Sequence, residues 1–269
     1  MIKINYPKKL NKKKIEAFFI SRGLGKLCNS SNIEIPVNKM IHKNPYVPDL
    51  EDLYRLYQFI LKNNRTTILE FGVGWSSLII LLALNEVKKN KSKSISKIRR
   101  NNPFELFIVD NEKKFLNLTK KRIDKFINEI GLKDPPKINY LFSEINMTTF
   151  EGRISTEYKK LPFCNPDFIY VDGPDQFKVK GNVNGLSTRN KDMMPMICDI
   201  LKMEYFLIPG TLIILDGRGA NTKFMKDHFK RNWIYKYHKK NDQHSFLLDD
   251  APLGPINKNQ LSLDRKSVV

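Results

Sequence analysis

The sequence predicts an α/β fold with a doubly wound, mostly parallel seven-stranded sheet, helices on both faces and a terminal antiparallel hairpin. Three observations predict this fold. Short β-branched and apolar runs alternate with longer segments of helical periodicity from residue 49 onward. A Gly-rich turn follows the first of these runs directly. The last two runs are separated by only a short polar turn, which favours a hairpin.

Seven strands are expected in chain order. They are predicted at residues 66–71, 105–109, 137–142, 167–171, 211–215, 233–238 and 245–248. Most are rich in β-branched, aromatic or other apolar residues, as buried parallel strands are. The two last strands flank the polar turn at 239–242, and we expect one of them to enter the sheet in the antiparallel direction.

Six helices are expected between and before these strands. They are predicted at residues 12–22, 49–61, 76–87, 113–130, 190–204 and 221–229. The second begins with an acidic turn, which suits the positive end of a helix dipole. The segment 88–102 is rich in Lys, Ser and Asn, and we expect a solvated loop there.

The chain of 269 residues suits one large domain with terminal extensions. We expect a basic N-terminal arm at 1–48 with one short helix, a main domain at 49–250 and a loosely ordered tail at 251–269. Cys28, Cys164 and Cys198 are scattered, which indicates reduced thiols rather than disulfides or a zinc site. No segment reaches the roughly 20 apolar residues of a spanning helix, and no signal core is present. A cytoplasmic protein is therefore expected.

The formal net charge is +19, which is compatible with nucleic-acid binding because phosphate neutralisation releases counterions. A general enrichment in Lys, Asn and Ile would produce the same charge. The basic residues also lie in separate patches at 8–14, 88–100 and 223–240. We therefore expect a small-molecule substrate, anionic or a sugar, rather than nucleic acid, while the nucleic-acid alternative stays open.

The turn after the first predicted strand has the features of a ligand site. In open α/β sheets, ligands bind beyond the carboxyl ends of the strands. Gly72 and Gly74 let a ligand approach the backbone, and Ser76 can cap the next helix or bind the ligand. Glu70 precedes them and can hold an amino group. Asp110 ends the second strand, where its carboxylate can accept both hydroxyls of a ribose. The alternative is a tight turn that binds nothing.

Four segments resemble the motifs of class I S-adenosylmethionine-dependent methyltransferases. They are Glu70-Phe71-Gly72-Val73-Gly74-Trp75-Ser76-Ser77-Leu78, Phe107-Ile108-Val109-Asp110-Asn111, Asp167-Phe168-Ile169-Tyr170-Val171-Asp172-Gly173-Pro174 and Leu207-Ile208-Pro209-Gly210-Thr211-Leu212-Ile213-Ile214-Leu215-Asp216. The resemblance covers roughly residues 50 to 250 and implies S-adenosylmethionine as the cofactor. It places Gly72 and Gly74 beside the methionine and ribose, Glu70 near the amino-acid end and Asp110 at the ribose hydroxyls. The adenine would lie near Ser143 and Glu144.

Methyl transfer requires a positioned and often deprotonated acceptor. Candidate catalytic residues follow the predicted strands on the same edge as the cofactor turn. They are Asp172 after the fourth strand, Asp216 after the fifth and His244 at the start of the last. The resemblance also implies that Asp172, which lies in the third of the four motifs, contacts the cofactor.

Three further residues are predicted to contact the substrate. Asp175 follows the fourth predicted strand, and Arg218 follows the fifth. Arg189 lies in a Gly-containing loop between them. Arginine suits an anionic or hydroxylated substrate.

The segment Val171-Asp172-Gly173 resembles a branch of small-molecule and sugar O-methyltransferases. The resemblance implies methylation of a small hydroxylated substrate such as a sugar or glycan intermediate. In several such enzymes a divalent metal lies between acidic residues after the fourth and fifth strands, and here Asp172 and Asp216 would bind Mg²⁺. The sequence departs from that branch at Pro174-Asp175 and at Gly217.

Three alternatives differ in class. A dinucleotide-dependent dehydrogenase is disfavoured because Ser77 replaces the third glycine and Asp110 lies too far along the chain. An RNA or other nucleic-acid methyltransferase, or a nucleic-acid-binding protein, is supported by the charge alone. A non-catalytic protein that retains the fold would bind no cofactor.

Overall fold

A computed structural model of the protein describes residues 2–31, 47–190 and 192–265. Its main sheet has seven strands, and all of them were predicted to within two residues at either end. They are β1 Thr67–Phe71, β2 Glu105–Asp110, β3 Lys137–Phe142, β6 Phe168–Val171, β7 Leu212–Asp216, β8 Trp233–His238 and β9 Gln243–Leu248. The predicted α/β fold class is confirmed.

The strand order is β3-β2-β1-β6-β7-β9-β8. Strands β1, β2, β3, β6 and β7 run parallel, whereas β9 is antiparallel to both β7 and β8. The chain therefore builds the sheet outward from β1 to β3, returns to the middle with β6 and builds toward the other edge. The switch point lies between β1 and β6, where the two flanking crossovers leave a crevice beyond the strand ends.

Eight helices lie in the described ranges. They are α1 Lys12–Ile20, α2 Gly25–Ser31, α3 Leu50–Lys62, α4 Trp75–Ile95, α5 Lys113–Glu129, α6 Asp199–Lys202, α7 Gly219–His228 and α8 Pro255–Arg265. Alternate residues of the strands point to opposite faces, so the sheet separates two cores. The first is shared with α1 to α5, and the second with α6, α7 and β8.

The prediction of a helix at 190–204 was wrong apart from the four residues of α6; residue 191 lies outside the described part. The backbone at 196–198 instead pairs with a strand: Thr156 N donates to Met196 O, and Cys198 N donates to Thr156 O. Pro195 lacks a backbone N–H and disfavours helix for the residue before it, which fits the extended path.

The prediction of a loop at 88–102 was wrong in its first half. Helix α4 continues through Ile95, and the Ile95 side chain is buried in the first core. Ile95 is the one apolar residue in the segment 88–95, so the composition of this segment does not show the helical periodicity.

A hairpin that the sequence analysis did not predict lies between β3 and β6. Strands β4 (Ile145–Phe150) and β5 (Arg153–Tyr158) form a separate antiparallel sheet joined by Glu151 and Gly152, both with positive φ. Two adjacent residues with positive φ fit a tight primed hairpin turn. The two strands are short and largely polar, so their sequences lack the apolar runs that predict strands.

Both ends of the described chain pack against the main domain. Helix α1 contributes Ile15 and Phe19 to the first core. The expectation of a loosely ordered tail was wrong for Pro255–Arg265, because α8 inserts Leu261 against Ile2 and Leu247. Residues 32–46 of the expected arm and 266–269 of the tail lie outside the described residues, and the division into arm, domain and tail stays a prediction. In the part that the structure describes, no helix is both long and apolar enough to cross a bilayer.

Candidate functional site

A cavity of about 230 Å³ opens at the switch point of the sheet. Its walls are the start of α3, the turn after β1, one face of α5 and the ends of β6 and β7. Of the residues predicted from the sequence, four line this cavity: Gly74, Ser76, Asp172 and Asp216. The tertiary structure thus brings the Gly-rich turn together with the two candidate catalytic carboxylates.

The two glycines of the turn have different roles. Gly72 has a φ of 94°, and a Cβ on it would lie 2.6 Å from Gly173 N, so the close approach of β1 and β6 requires glycine there. Gly74 has a φ of −177°, which any residue adopts. Among the described atoms, the nearest to a Cβ on Gly74 would be Ser76 Oγ at 3.9 Å. The fold itself therefore does not require glycine at 74, whereas a ligand lying against the backbone would.

Glu70 is fully buried and does not line the cavity. Its two carboxylate oxygens accept hydrogen bonds from Ser76 Oγ at 2.6 Å and Ser77 Oγ at 2.7 Å. Ser77 Oγ also accepts from Gly74 N at 3.3 Å. Burial raises the pKa of Glu70 to about 8, although both serines lower it. Glu70 ties β1 to the start of α4 and fixes the turn, and the cofactor contact expected of it stays a prediction.

The carboxylates after β6 and β7, those of Asp172 and Asp216, both line the cavity. Tyr170 Oη donates to Asp216 Oδ2 at 3.0 Å, and burial together with the charge of Asp172 raises the pKa of Asp216 to about 7. The side chain of Asp172 is reached by solvent through the cavity, yet the surrounding protein raises its pKa, and Arg218 opposes that shift. Asp216 is thus poised to exchange a proton near neutral pH.

Helix α3 adds two carboxylates that the sequence analysis did not assign to the site. Asp49 caps the helix by accepting from Glu51 N and Asp52 N at 2.7 and 3.1 Å. Burial and the charges of Asp216 and Asp49 raise the pKa of Asp52 to about 8. The sequence predicts only a complement to the helix dipole at this acidic turn, because nothing in it shows that α3 begins beside the end of β7.

A stacked cation forms another part of the cavity wall. The Arg122 guanidinium of α5 lies 4.2 Å from the centre of the Trp75 ring, and both residues line the cavity. The cavity therefore combines four carboxylates with one guanidinium, whereas the chain as a whole carries a net charge of +19.

Asp110 lies at the end of β2, as predicted, but the loop after β6 covers it. Asp110 Oδ1 accepts from Glu112 N at 2.6 Å. Asn111 exchanges two hydrogen bonds with the backbone of Asp175, at 3.2 and 3.3 Å, which holds the loop across the strand end. Burial raises the pKa of Asp110 to about 7. Its predicted role at a ribose is not tested by this arrangement.

The residues expected near an adenine have partners within the protein. Ser143 is buried, and its Oγ accepts from Lys160 N at 2.9 Å. Glu144 forms ion pairs with Lys159 and Lys180, and these hydrogen bonds lower its pKa to about 2. Neither residue lines the cavity, so their contact with a cofactor stays a prediction.

His244 lies on the other face of the sheet from Asp216. It pairs with Leu215 across β7 and β9, and its Nδ1 shares a hydrogen bond with Tyr235 Oη at 2.9 Å. Burial lowers the pKa of His244, so the ring is neutral at pH 7. His244 does not line the cavity, and the structure therefore separates it from the two carboxylates with which it was grouped.

The three predicted substrate residues lie apart from one another. Arg218 Nη2 donates to Asp172 O at 2.5 Å and to Pro174 O at 3.3 Å, so this guanidinium holds the loop after β6. Asp175 caps a short 3₁₀ turn by accepting from Phe177 N. Arg189 is exposed and bonds to Ser187 within its own loop. None of the three lines the cavity.

The two carboxylates after β6 and β7 are also the predicted metal ligands. Asp172 and Asp216 share the cavity, but within residues 2–31, 47–190 and 192–265 no group of three or more His, Cys, Asp or Glu is placed to hold an ion. Metal binding at Asp172 and Asp216 stays a prediction.

Solved structures similar to this chain include several methyltransferases. An S-adenosylhomocysteine-bound methyltransferase from Podospora anserina is 12% identical, with a TM-score of 0.43 over 92% of this chain and 100% of its own. A putative caffeoyl-CoA O-methyltransferase from Staphylococcus aureus is 13% identical, with a TM-score of 0.47 over 90% and 100%. An O-methyltransferase from Bacillus cereus in complex with S-adenosylhomocysteine is 11% identical, with a TM-score of 0.34 over 90% and 92%.

No family model matches the sequence, and no curated protein matches it.

Proposed function

We propose that this chain is an S-adenosylmethionine-dependent methyltransferase whose cofactor lies in the cavity between the Gly74 turn and the ends of β6 and β7. The observation that carries the proposal is the position of the cavity at the switch point, beside a glycine that the fold itself does not require. Ligands of open α/β sheets bind at this point.

The charges of the cavity fit this cofactor. S-adenosylmethionine carries a sulfonium, an ammonium and a carboxylate. Carboxylates on the wall stabilise the two cationic groups, and Arg122 offers a cation for the third. A neutral or anionic ligand would add no positive charge beside Asp49, Asp52, Asp172 and Asp216.

The bound cofactor would supply an electrophilic methyl group, and the protein would position and deprotonate the acceptor. Asp172 and Asp216 lie on the wall where an acceptor can meet the cofactor, and both have raised pKa values. A carboxylate with a pKa near 7 accepts a proton from a hydroxyl more effectively than an ordinary aspartate does. The hydrogen bond from Tyr170 fixes the orientation of Asp216.

A small hydroxylated acceptor is the substrate class that these groups support, with O-methylation as the reaction. Carboxylate oxygens accept hydrogen bonds, so they orient hydroxyl groups directly. A sugar or glycan intermediate belongs to this class and remains our proposal for it. If Asp172 and Asp216 also bind Mg²⁺, methyl transfer is lost on addition of EDTA and restored by Mg²⁺.

Calorimetric titration of the full chain with S-adenosylmethionine and S-adenosylhomocysteine tests the proposal. We expect saturable binding of both compounds at one site. The matched control is NAD, the ligand of the alternative dehydrogenase, which should not bind. Absence of binding by both methionine-derived compounds would overturn the proposal and favour a non-catalytic protein with this fold.

A further inference from the structure

The first turn of helix α7 lies immediately after Asp216 at the surface. Gly217, Gly219 and Ala220 are exposed, and Arg218 occupies the N-cap position. No side chain in the described ranges caps this helix start. The first N–H groups of a helix lack intrahelical partners and carry a partial positive charge, so this turn offers donors toward solvent.

A buried histidine points at this turn. His244 is 6% exposed, and its Nε2 has no hydrogen-bond partner among the described residues. A Cβ placed on Gly219, the first residue of α7, would lie 4.0 Å from that Nε2. Since the opposite nitrogen is engaged with Tyr235, the ring is fixed with one polar atom directed toward the helix start.

Further donors around the turn also lack partners. Asn221 Nδ2 and Thr222 Oγ1 belong to residues that are each 2% exposed, and neither atom has a partner in the described part of the chain. Asn221 Oδ1 accepts from Ile197 N at 3.2 Å, which directs its amide NH₂ elsewhere. Arg218 Nε is unpartnered as well. Buried polar groups are nearly always paired, so this group of donors indicates a missing acceptor.

Charges of both signs lie near this turn. Lys223 and Lys226 extend from α7, and Lys226 Nζ lies 4.7 Å from the centre of the Tyr235 ring that holds His244. The nearby carboxylates include Asp216, directly before the turn, and Asp242, whose Oδ2 would lie 3.8 Å from a Cβ on Gly217. Asp242 Oδ1 already accepts from Tyr237 Oη at 3.0 Å, which partly satisfies it.

We infer that the start of α7, with Arg218, His244 and Thr222, binds an oxyanion, and that this anion is a phosphate group of the methyl-acceptor substrate. A helix N-terminus flanked by an arginine suits phosphate because both the backbone donors and the guanidinium match its oxygens. This inference rests on the proposed function, which places the acceptor hydroxyl at Asp216, three residues before Gly219. The substrate is then a small hydroxylated compound with a phosphate group.

Titration of the full chain with inorganic phosphate at constant ionic strength tests the site, followed through the imidazole signals in NMR spectra. The chain has four histidines, and the spectrum of His244→Gln identifies the signal of His244. We expect a saturable shift of that signal with phosphate and none with acetate. A shift with acetate but not with phosphate, or with neither, would overturn the inference.

Two variants locate the site. Arg218→Gln should weaken phosphate binding by at least about tenfold, because a charge-assisted contact is lost. Arg153→Gln removes the same charge from an exposed residue of β5 and should change the affinity by less than about twofold. Equal effects of the two variants would show that phosphate responds only to overall charge, which would contradict the site.

Arg218 also holds the loop after β6, so Arg218→Gln can weaken phosphate binding by loosening that loop. Thr222→Val tests the site without changing the loop. This substitution removes a hydroxyl that has no partner in the described structure, so we expect an unchanged melting temperature and about threefold weaker phosphate binding. An unchanged affinity for phosphate would exclude Thr222 from the site and contradict the inference. Cofactor titration of the same samples separates the two proposals, since phosphate binding does not require the cofactor site.

Discussion

Two carboxylates that follow different strands, Asp172 and Asp216, lie on one cavity wall with the acidic start of α3. Burial raises the pKa values of Asp172, Asp216 and Asp52, and repulsion from neighbouring carboxylates raises those of Asp216 and Asp52 further. Such shifts are typical of sites at which charge changes during binding or reaction. At the scale of single residues, the cavity is therefore prepared for a cation.

Cofactor binding should be coupled to proton release. Asp52 and Asp216, with pKa values of about 8 and about 7, are substantially protonated at pH 7. A bound cation lowers both pKa values, so protons leave and the affinity for S-adenosylmethionine rises as the pH increases from about 6.5 to about 8.5. Calorimetry in buffers of different ionisation enthalpy measures the number of protons released.

S-adenosylhomocysteine is the control for this linkage, because its sulfur is uncharged. We expect it to release fewer protons than S-adenosylmethionine, and Asp52→Asn should reduce the release for both. Equal proton release by the two ligands in the unmodified protein would show that the sulfonium lies away from these carboxylates.

Asp110 and Asp172 should separate binding from turnover. Asp110→Asn should weaken the affinity for S-adenosylmethionine by roughly tenfold to a hundredfold, because hydrogen bonds to a charged group contribute about 1.5–3 kcal/mol. Asp172→Asn should lose methyl transfer and weaken the affinity for S-adenosylmethionine far less than Asp110→Asn does. Asp124→Asn, an exposed change on α5, is the matched control and should alter neither quantity. Full affinity in Asp110→Asn would contradict its assignment to the ribose.

At the scale of elements, the turn between β1 and α4 has two constraints of different origin. The first is internal: Gly72 lies against the backbone of Gly173, and Glu70 binds Ser76 and Ser77. The second concerns only a ligand, because Gly74 borders open space. A substitution at Gly72 should therefore affect the stability of the fold, whereas one at Gly74 should affect only ligand binding.

Alanine at each glycine distinguishes these constraints. Gly72→Ala should destabilise the protein by roughly 1–3 kcal/mol or more, since a positive φ and a contact of 2.6 Å are both unfavourable for a Cβ. Gly74→Ala should leave the melting temperature unchanged and weaken cofactor binding. Thermal unfolding and calorimetry measure the pair. A Gly74→Ala protein that binds normally would show that no ligand approaches this backbone.

At the scale of the whole molecule, the terminal segments complete the domain. Leu261 of α8 is 4% exposed and packs against Ile2 and Leu247, so the two ends of the described chain meet over β9. The chain has a net charge of +19, whereas the wall of the cavity has four aspartates and one arginine. The nucleic-acid alternative thus gains no support from the cavity, and a binding assay with RNA and DNA across salt concentrations tests it.

The contribution of α8 can be measured with two leucines. Leu261→Ala should lower the free energy of unfolding by about 2–4 kcal/mol, because a buried side chain is replaced by a void. Leu253→Ala changes a residue that is 65% exposed and should cost less than about 0.5 kcal/mol. Chemical denaturation provides both values. Equal and small effects would show that α8 does not pack stably in solution.

The sequence by itself determined the seven strands of the sheet, most of its helices and the Gly-rich turn. These features depend on local periodicity and on turn residues, which act over a few positions. The hairpin of β4 and β5 was missed because its strands are short and largely polar. The extended path at 196–198 was missed because its hydrogen bonds go to Thr156, a partner distant in sequence.

The tertiary structure alone decided which candidate residues meet. Asp172 and Asp216 share a cavity with Asp52, whereas His244 faces the other side of the sheet at the start of α7. Alternation along β7 and β9 assigns these residues to opposite faces, but only the packing of α3 and α7 shows what each face contains. The physical reason is that burial and charge, which set the pKa values of the site, depend on neighbours that are far apart in the sequence.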